Sequence, residues 1–144
     1  MKTGGEAYLD TSVIANLLLA EQFSERAEAF ADRKRSALVV SNFAAAEFSS
    51  VIARHVRMGG VSVEDARAHL AQFDHWASRA VLRVDITPED ITRAETYMRR
   101  LDLPLRTPDA IHIAVAWRLE AELATFDRRM SDVARAVCVS VADL

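Results

Sequence analysis

At 144 residues the chain is long enough to bury a core without disulfides or structural metals to staple it. Hydrophobic residues make up 51% and charged residues 27%, a balance that excludes disorder and fits a globular domain. The net charge of −3 argues against a protein held on nucleic acid by bulk charge.

The cations are 16 Arg and 2 Lys. The guanidinium fork suits carboxylate and phosphate contacts, though a GC-rich genome produces the same bias. Cys138 is the only cysteine, which excludes an internal disulfide and a cysteine-based zinc site. Its apolar setting, Val137-Cys138-Val139, predicts a small buried core residue. No stretch reaches the ~18 apolar residues of a membrane span. The N-terminal residues Met1 to Glu6 lack the design of a signal peptide, so the cytoplasm is the expected location and no membrane partner is expected.

In chain order, Ala7-Tyr8-Leu9 predicts a first strand ending at Asp10. Ser12 to Ala20 reads as a helix, and Phe23 to Lys34 as a second, with Phe23, Ala27 and Phe30 on one face. Ala37 to Val40 predicts a second buried strand, followed at Ser41-Asn42 by a helix that runs to Met58 and stops at Gly59-Gly60. Ser62, three residues before Asp65, opens a helix running to about Arg79. Ala80 to Val84 is the third expected strand.

Thr87-Pro88-Glu89-Asp90 starts a helix that reaches about Leu101. Thr107-Pro108-Asp109 repeats that start, and its helix carries through to Leu119. Glu122 to Phe126 predicts a fourth strand, Arg128 to Arg135 a short helix, and Val137 to Val139 a fifth strand. The alternation predicts an α/β fold: one domain over 1–144 with a parallel sheet of about five short strands and helices on both faces. Ligands in such folds sit beyond the carboxyl ends of the strands.

Asp10 and Asp127 end the first and fourth strands, Asp109 lies in a first helical turn, and Glu47 lies one turn into the helix after the second strand. All four are placed to reach one end of the sheet. Singly, Asp10 and Asp127 also suit helix N-caps, and Asp109 suits a helix dipole. Glu47 is harder to explain that way. It sits in Phe43-Ala44-Ala45-Ala46-Glu47-Phe48, where an ionised carboxylate needs a partner and the segment offers no cation before Arg54. Four carboxylates sharing a pocket require a cation, and oxygen ligands without His or Cys select Mg²⁺ or Mn²⁺ over zinc.

Tyr8-Leu9-Asp10-Thr11-Ser12-Val13-Ile14-Ala15, the Glu47 helix, Thr107-Pro108-Asp109-Ala110-Ile111-His112-Ile113-Ala114 and Thr125-Phe126-Asp127-Arg128-Arg129-Met130 together resemble the successive signatures of PIN-domain ribonucleases. In compact length the chain is similar to VapC-type toxins of bacterial toxin–antitoxin pairs. The resemblance spans nearly the whole chain, and the four-acid pattern is intact. It implies metal-dependent endonucleolytic cleavage of RNA leaving 5′-phosphate and 3′-hydroxyl ends. It also implies that Asp10, Glu47, Asp109 and Asp127 are the catalytic, metal-site acids, supported by the hydroxyls of Ser12 and Thr125. The partners implied are an RNA substrate, a small cognate antitoxin and a second copy of the chain in a homodimer.

The apolar second helix, with Phe23 and Phe30, is the expected antitoxin-facing surface, with a place in the core as the alternative. His55, His69, His75 and His112 show no paired metal-ligand spacing; His112, one turn after Asp109, is expected to pack within its helix, with an approach to the site as the alternative. Phe73, Trp76 and Trp117 are read as packing residues. Of the arginine runs, Arg128-Arg129 is the best placed to meet RNA. Two alternatives are an aspartate-nucleophile phosphatase, weakened by Ser12 where a second acid is wanted, and a non-catalytic regulatory or binding domain with an acidic pocket.

Overall fold

The computed structural model describes residues 5–35 and 37–144. The expectation for the first residues of the chain therefore falls, for residues 1–4, outside the described part. Four strands form one parallel sheet: β1 (Ala7–Leu9), β2 (Leu38–Ser41), β3 (Leu82–Val84) and β4 (Glu122–Ala124), in the order β3-β2-β1-β4. Helices α1 (Thr11–Leu18) and α2 (Ser24–Arg33) connect β1 to β2, while α3 (Asn42–Arg57) and α4 (Val63–Ala80) connect β2 to β3. Helices α5 (Pro88–Arg99) and α6 (Thr107–Arg118) connect β3 to β4, and α7 (Arg128–Ala136) follows β4.

Local chemistry starts most of these helices where the sequence places them. Asp10, Ser41, Ser62 and Asp127 each accept a backbone N–H from their helix's first turn, which satisfies a donor that has no partner inside the helix. Thr87 and Asp90 form a reciprocal capping box behind Pro88. At the far end of α3, Gly59 takes φ +76°, and the N–H groups of Gly59 and Gly60 turn back to Val56 and His55. That turn favours a residue without Cβ.

Alternation along the strands divides the core in two. Ala7, Leu9, Leu38 and Val40 face a layer containing Phe30 of α2, Phe48 and Ile52 of α3 and Phe73 of α4. Tyr8, Val39 and Leu123 face a layer from α5, α6 and α7, including Tyr97, Ile113 and Met130. A short sheet covered on both faces buries every residue of β1 and β2.

The expected third strand forms, shortened to Leu82–Val84 because α4 continues to Ala80, and lies at the edge of the sheet with two of its three residues exposed. One strand expectation is corrected. The expected fifth strand at Val137–Val139 does not form. Cys138 adopts φ +64°, and the N–H groups of Cys138 and Val139 return to Arg135 and Ala134, so the run terminates α7. The chain meets β4 only at a single bridge between Leu123 and Val141. Cys138 is exposed, not buried: an apolar triplet after a helix can as readily end it as extend into a sheet.

Among the aromatic residues, Phe73 is buried against Phe48, with ring centroids 5.1 Å apart, and Trp76 packs on Phe73. Trp117 is instead exposed, with the Arg93 guanidinium lying over its ring. Among the described residues no helix is long and apolar enough to cross a membrane.

Candidate active site

In the order β3-β2-β1-β4, the connections leaving β1 run one way and β4 lies on its other side. The adjacent carboxyl ends of β1 and β4 are therefore the topological switch point of the sheet, where the loops diverge and leave a crevice. Asp10 follows β1 and Thr125-Phe126-Asp127 follows β4. A backbone bond from the Asp10 N–H to the Ala124 carbonyl, 3.1 Å, closes the strand ends together.

Asp10 is only 2% exposed. Its Oδ1 accepts the Ser12 hydroxyl at 2.6 Å and the Val13 N–H at 3.1 Å, and its Oδ2 accepts the Thr125 hydroxyl at 2.5 Å. Burial pushes its carboxyl above the ordinary aspartate range, against the opposing influence of His112 and these donors. The supporting hydroxyls are themselves tied across the switch point. Ser12 Oγ accepts the Phe126 N–H at 3.1 Å, and Thr125 Oγ1 accepts the Asp127 N–H at 3.0 Å. The Asp127 carboxylate caps α7 through Met130 at 3.1 Å. Capping and site placement thus coincide at both aspartates.

Glu47 is half-buried on α3. Its Oε1 accepts the Thr11 hydroxyl at 2.7 Å and is hydrogen-bonded by His112 Nε2. Burial raises this carboxyl, but the His112 and Thr11 bonds outweigh it and hold Glu47 below the usual glutamate range. The partner that the local sequence lacks comes from α6, 65 positions away. His112 is therefore more than a helix-packing residue. It is buried, and its Nδ1 lies 2.7 Å from the Tyr8 hydroxyl, which is 2.7 Å from Ser41 Oγ. One signal for it existed in the sequence: His112 is the lone polar side chain in the buried run Ala110 to Ala116, one helical turn beyond Asp109. Thr11, Tyr8 and Ser41 carried no such signal.

Asp109 opens α6 and meets Arg106 Nε at 3.8 Å, but that arginine side chain is 82% exposed. Burial raises the Asp109 carboxyl; Arg106 opposes this, and the charges of Asp127 and Glu47 add to it. Asp109 lies one helical turn before His112 on α6, and His112 meets Glu47. Among the described residues, Asp10 and Asp127 have no ion-pair partner. Of the four carboxylates, Asp109 and Glu47 have ion-pair partners among the described residues, the exposed Arg106 and the buried His112. Hard oxygen donors with uncompensated charge fit a divalent cation. They are not gathered as a finished cage: among the described residues no three His, Cys, Asp or Glu side chains form a ready ligand group, and hydroxyl and backbone donors hold Asp10 and Asp127 instead.

The expected antitoxin-facing pair divides. Phe30 belongs to the core and offers no surface, whereas Phe23 is half-buried and stacks on Phe126, centroids 4.9 Å apart, with Arg26 over both rings. Arg128 and Arg129 are exposed immediately after Asp127.

The family model described as PIN domain matches residues 7–136. The chain is 35% identical to Ribonuclease VapC46 of Mycobacterium tuberculosis over 138 residues, covering 93% of this chain and 94% of that protein. Its fold is similar to the crystal structure of M. tuberculosis VapC20, a Sarcin-Ricin loop cleaving toxin, with a TM-score of 0.74 at 21% identity, covering 96% of this chain and 100% of the other. It is also similar to a chain of DNA-bound VapBC from Salmonella typhimurium, with a TM-score of 0.73 at 15% identity, covering 96% and 98%. With the switch-point aspartates in place and the match running through all four acidic segments, the chain belongs to the PIN-domain family, in its VapC branch.

Proposed function

We propose that this protein is a metal-dependent endoribonuclease and the toxin of a VapBC-like toxin–antitoxin pair, folded as one PIN-like domain over 1–144. The carrying observation is the charge imbalance at the switch point: Asp10 is buried and raised, yet has no cationic partner among the described residues. An ionised carboxylate in that position is costly unless a cation compensates it. Family membership supplies the reaction class, since the 35%-identical relative is a ribonuclease.

Asp10, Glu47, Asp109 and Asp127 would hold Mg²⁺ or Mn²⁺. When bound, the ion supplies a water of lowered pKa and neutralises charge at the scissile phosphate. Ser12 and Thr125 keep Asp10 in one orientation by donating to both of its oxygens. Thr11 and His112 hold Glu47 through one oxygen, both meeting its Oε1. The Val13 N–H accepted by Asp10 favours its ionised form. No histidine base is required.

The expected partners are RNA, a small cognate antitoxin and a second copy of the chain; several solved relatives are themselves VapBC or FitAB complexes. Purified protein should cleave RNA with Mg²⁺ or Mn²⁺ and lose that activity in EDTA. Asp10→Asn should lower the rate about a hundredfold or more, the effect of removing several kcal/mol of charge stabilisation. Cleavage that persists in EDTA, or in Asp10→Asn, would refute the assignment.

A further inference from the structure

We propose that His112 is the positioning residue for Glu47, donating a hydrogen from Nε2 while a chain of hydroxyls from Ser41 through Tyr8 fixes its Nδ1 as an acceptor. The inference rests on the reading of Glu47 as a metal-holding acid and adds the means by which that acid is held.

The direction of the chain follows from counting hydrogens. The Ala44 N–H can only donate, and it lies 3.0 Å from Ser41 Oγ. Ser41 is fully buried, and among the described residues its oxygen meets only Ala44 N and the Tyr8 hydroxyl. Its single hydrogen therefore goes to Tyr8 Oη. Tyr8 then donates its own hydrogen to His112 Nδ1, and the ring hydrogen on Nε2 goes to Glu47 Oε1. Every donor finds one acceptor.

Running the chain backwards breaks it. A hydrogen on Nδ1 would turn the Tyr8 hydroxyl toward Ser41 and leave the Ser41 hydrogen buried without an acceptor, a costly vacancy in a site closed to water. With the hydrogen on Nδ1 alone, the bare Nε2 would also face the carboxylate. Burial holds the Tyr8 phenol far above its ordinary pKa, so it remains a donor.

The consequence for Glu47 is geometric. Thr11 and His112 both donate to Oε1, while Oε2 has no hydrogen-bond partner among the described residues. The carboxylate is pinned through one oxygen, and the other stays free for a cation.

Long-range ¹H–¹⁵N spectra of the wild-type protein should show the His112 hydrogen on Nε2 alone. Tyr8→Phe keeps the buried ring but removes the hydrogen that fixes Nδ1. It should weaken Mn²⁺ binding, measured by titration calorimetry, about tenfold to a hundredfold while the circular dichroism spectrum stays native. His112→Gln, which retains an amide donor, should keep more of the Mn²⁺ affinity than His112→Leu. A hydrogen on Nδ1, or Tyr8→Phe with unchanged Mn²⁺ affinity, would overturn the proposal. Wild-type protein that binds no Mn²⁺ would remove the metal reading of Glu47 and this inference with it, whereas an Nδ1–H ring in protein that does bind Mn²⁺ removes the relay alone.

Discussion

Asp10 and Glu47 are both partly or wholly withdrawn from water, yet their proton affinities move in opposite directions. Asp10 and Asp109 are pushed up, mainly by burial, and Glu47 is held down by His112 and Thr11 despite its burial. A raised carboxyl binds its proton more tightly in the folded state. Its contribution to stability is fully present below the unfolded value, 3.8 for both aspartates, and is lost as pH rises through the folded value. Glu47 contributes above its unfolded value of 4.5 and loses that contribution only as pH falls through its lower folded value. As pH falls from neutrality, protonation of the aspartate pair adds stability, whereas protonation of Glu47 removes it. Metal-free protein in EDTA should therefore melt at a higher temperature near pH 5 than at pH 7, and Mg²⁺ added at pH 7 should narrow the gap. A melting temperature that falls steadily over that interval would contradict the charge imbalance inferred here.

Helix α6 carries Asp109 and His112 to the site, and one ion pair fastens it to α5. Asp90, buried in α5, accepts Arg118 Nε at 2.8 Å and Nη2 at 3.0 Å, while also closing the capping box with the Thr87 N–H at 2.8 Å. Arg118→Ala leaves that carboxylate buried without its cation. It should destabilise the protein by about 3 kcal/mol, read from the urea midpoint, whereas the joint replacement Asp90→Asn with Arg118→Met should recover much of the loss. Full destabilisation in the double variant would show that the pair is not what matters.

The end of α5 offers the opposite case. Leu101 sits at φ +64° and is 90% exposed, so it bears left-handed strain without burying its side chain. Leu101→Gly should stabilise the protein by about 1 kcal/mol, and an unchanged or lower urea midpoint would show that the turn tolerates leucine freely.

For the whole molecule, the placement of β4 beside β1 governs everything at the site. That single topological step brings residues 10 and 125–127 together and leaves α1 to α4 on one face and α5 to α7 on the other. As the toxin of a pair, the protein should arrest growth when expressed alone and be silenced by co-expression of the small gene beside its own. Asp127→Asn should grow normally in both settings. Harmless expression of a protein that cleaves RNA in vitro would count against the toxin role. Sedimentation of the purified chain tests the expected homodimer.

Much of this was legible in the residues themselves. Strand and helix periods, the caps at Ser41, Ser62 and Thr87, and the acids at strand ends are local patterns, because hydrogen bonding and side-chain direction act over a few residues. The sequence alone therefore determined the α/β class, the order of the elements up to β4, the family resemblance and the four acids as candidates. Only the tertiary structure decided what each acid touches. His112 could be recognised as the partner of Glu47 only once α6 was packed against α3 and Tyr8 lay beneath both. Phe30 proved to be core, Cys138 a left-handed turn and β3 an exposed edge for the same reason. Burial and pairing depend on which distant segment arrives opposite, and no local period encodes that.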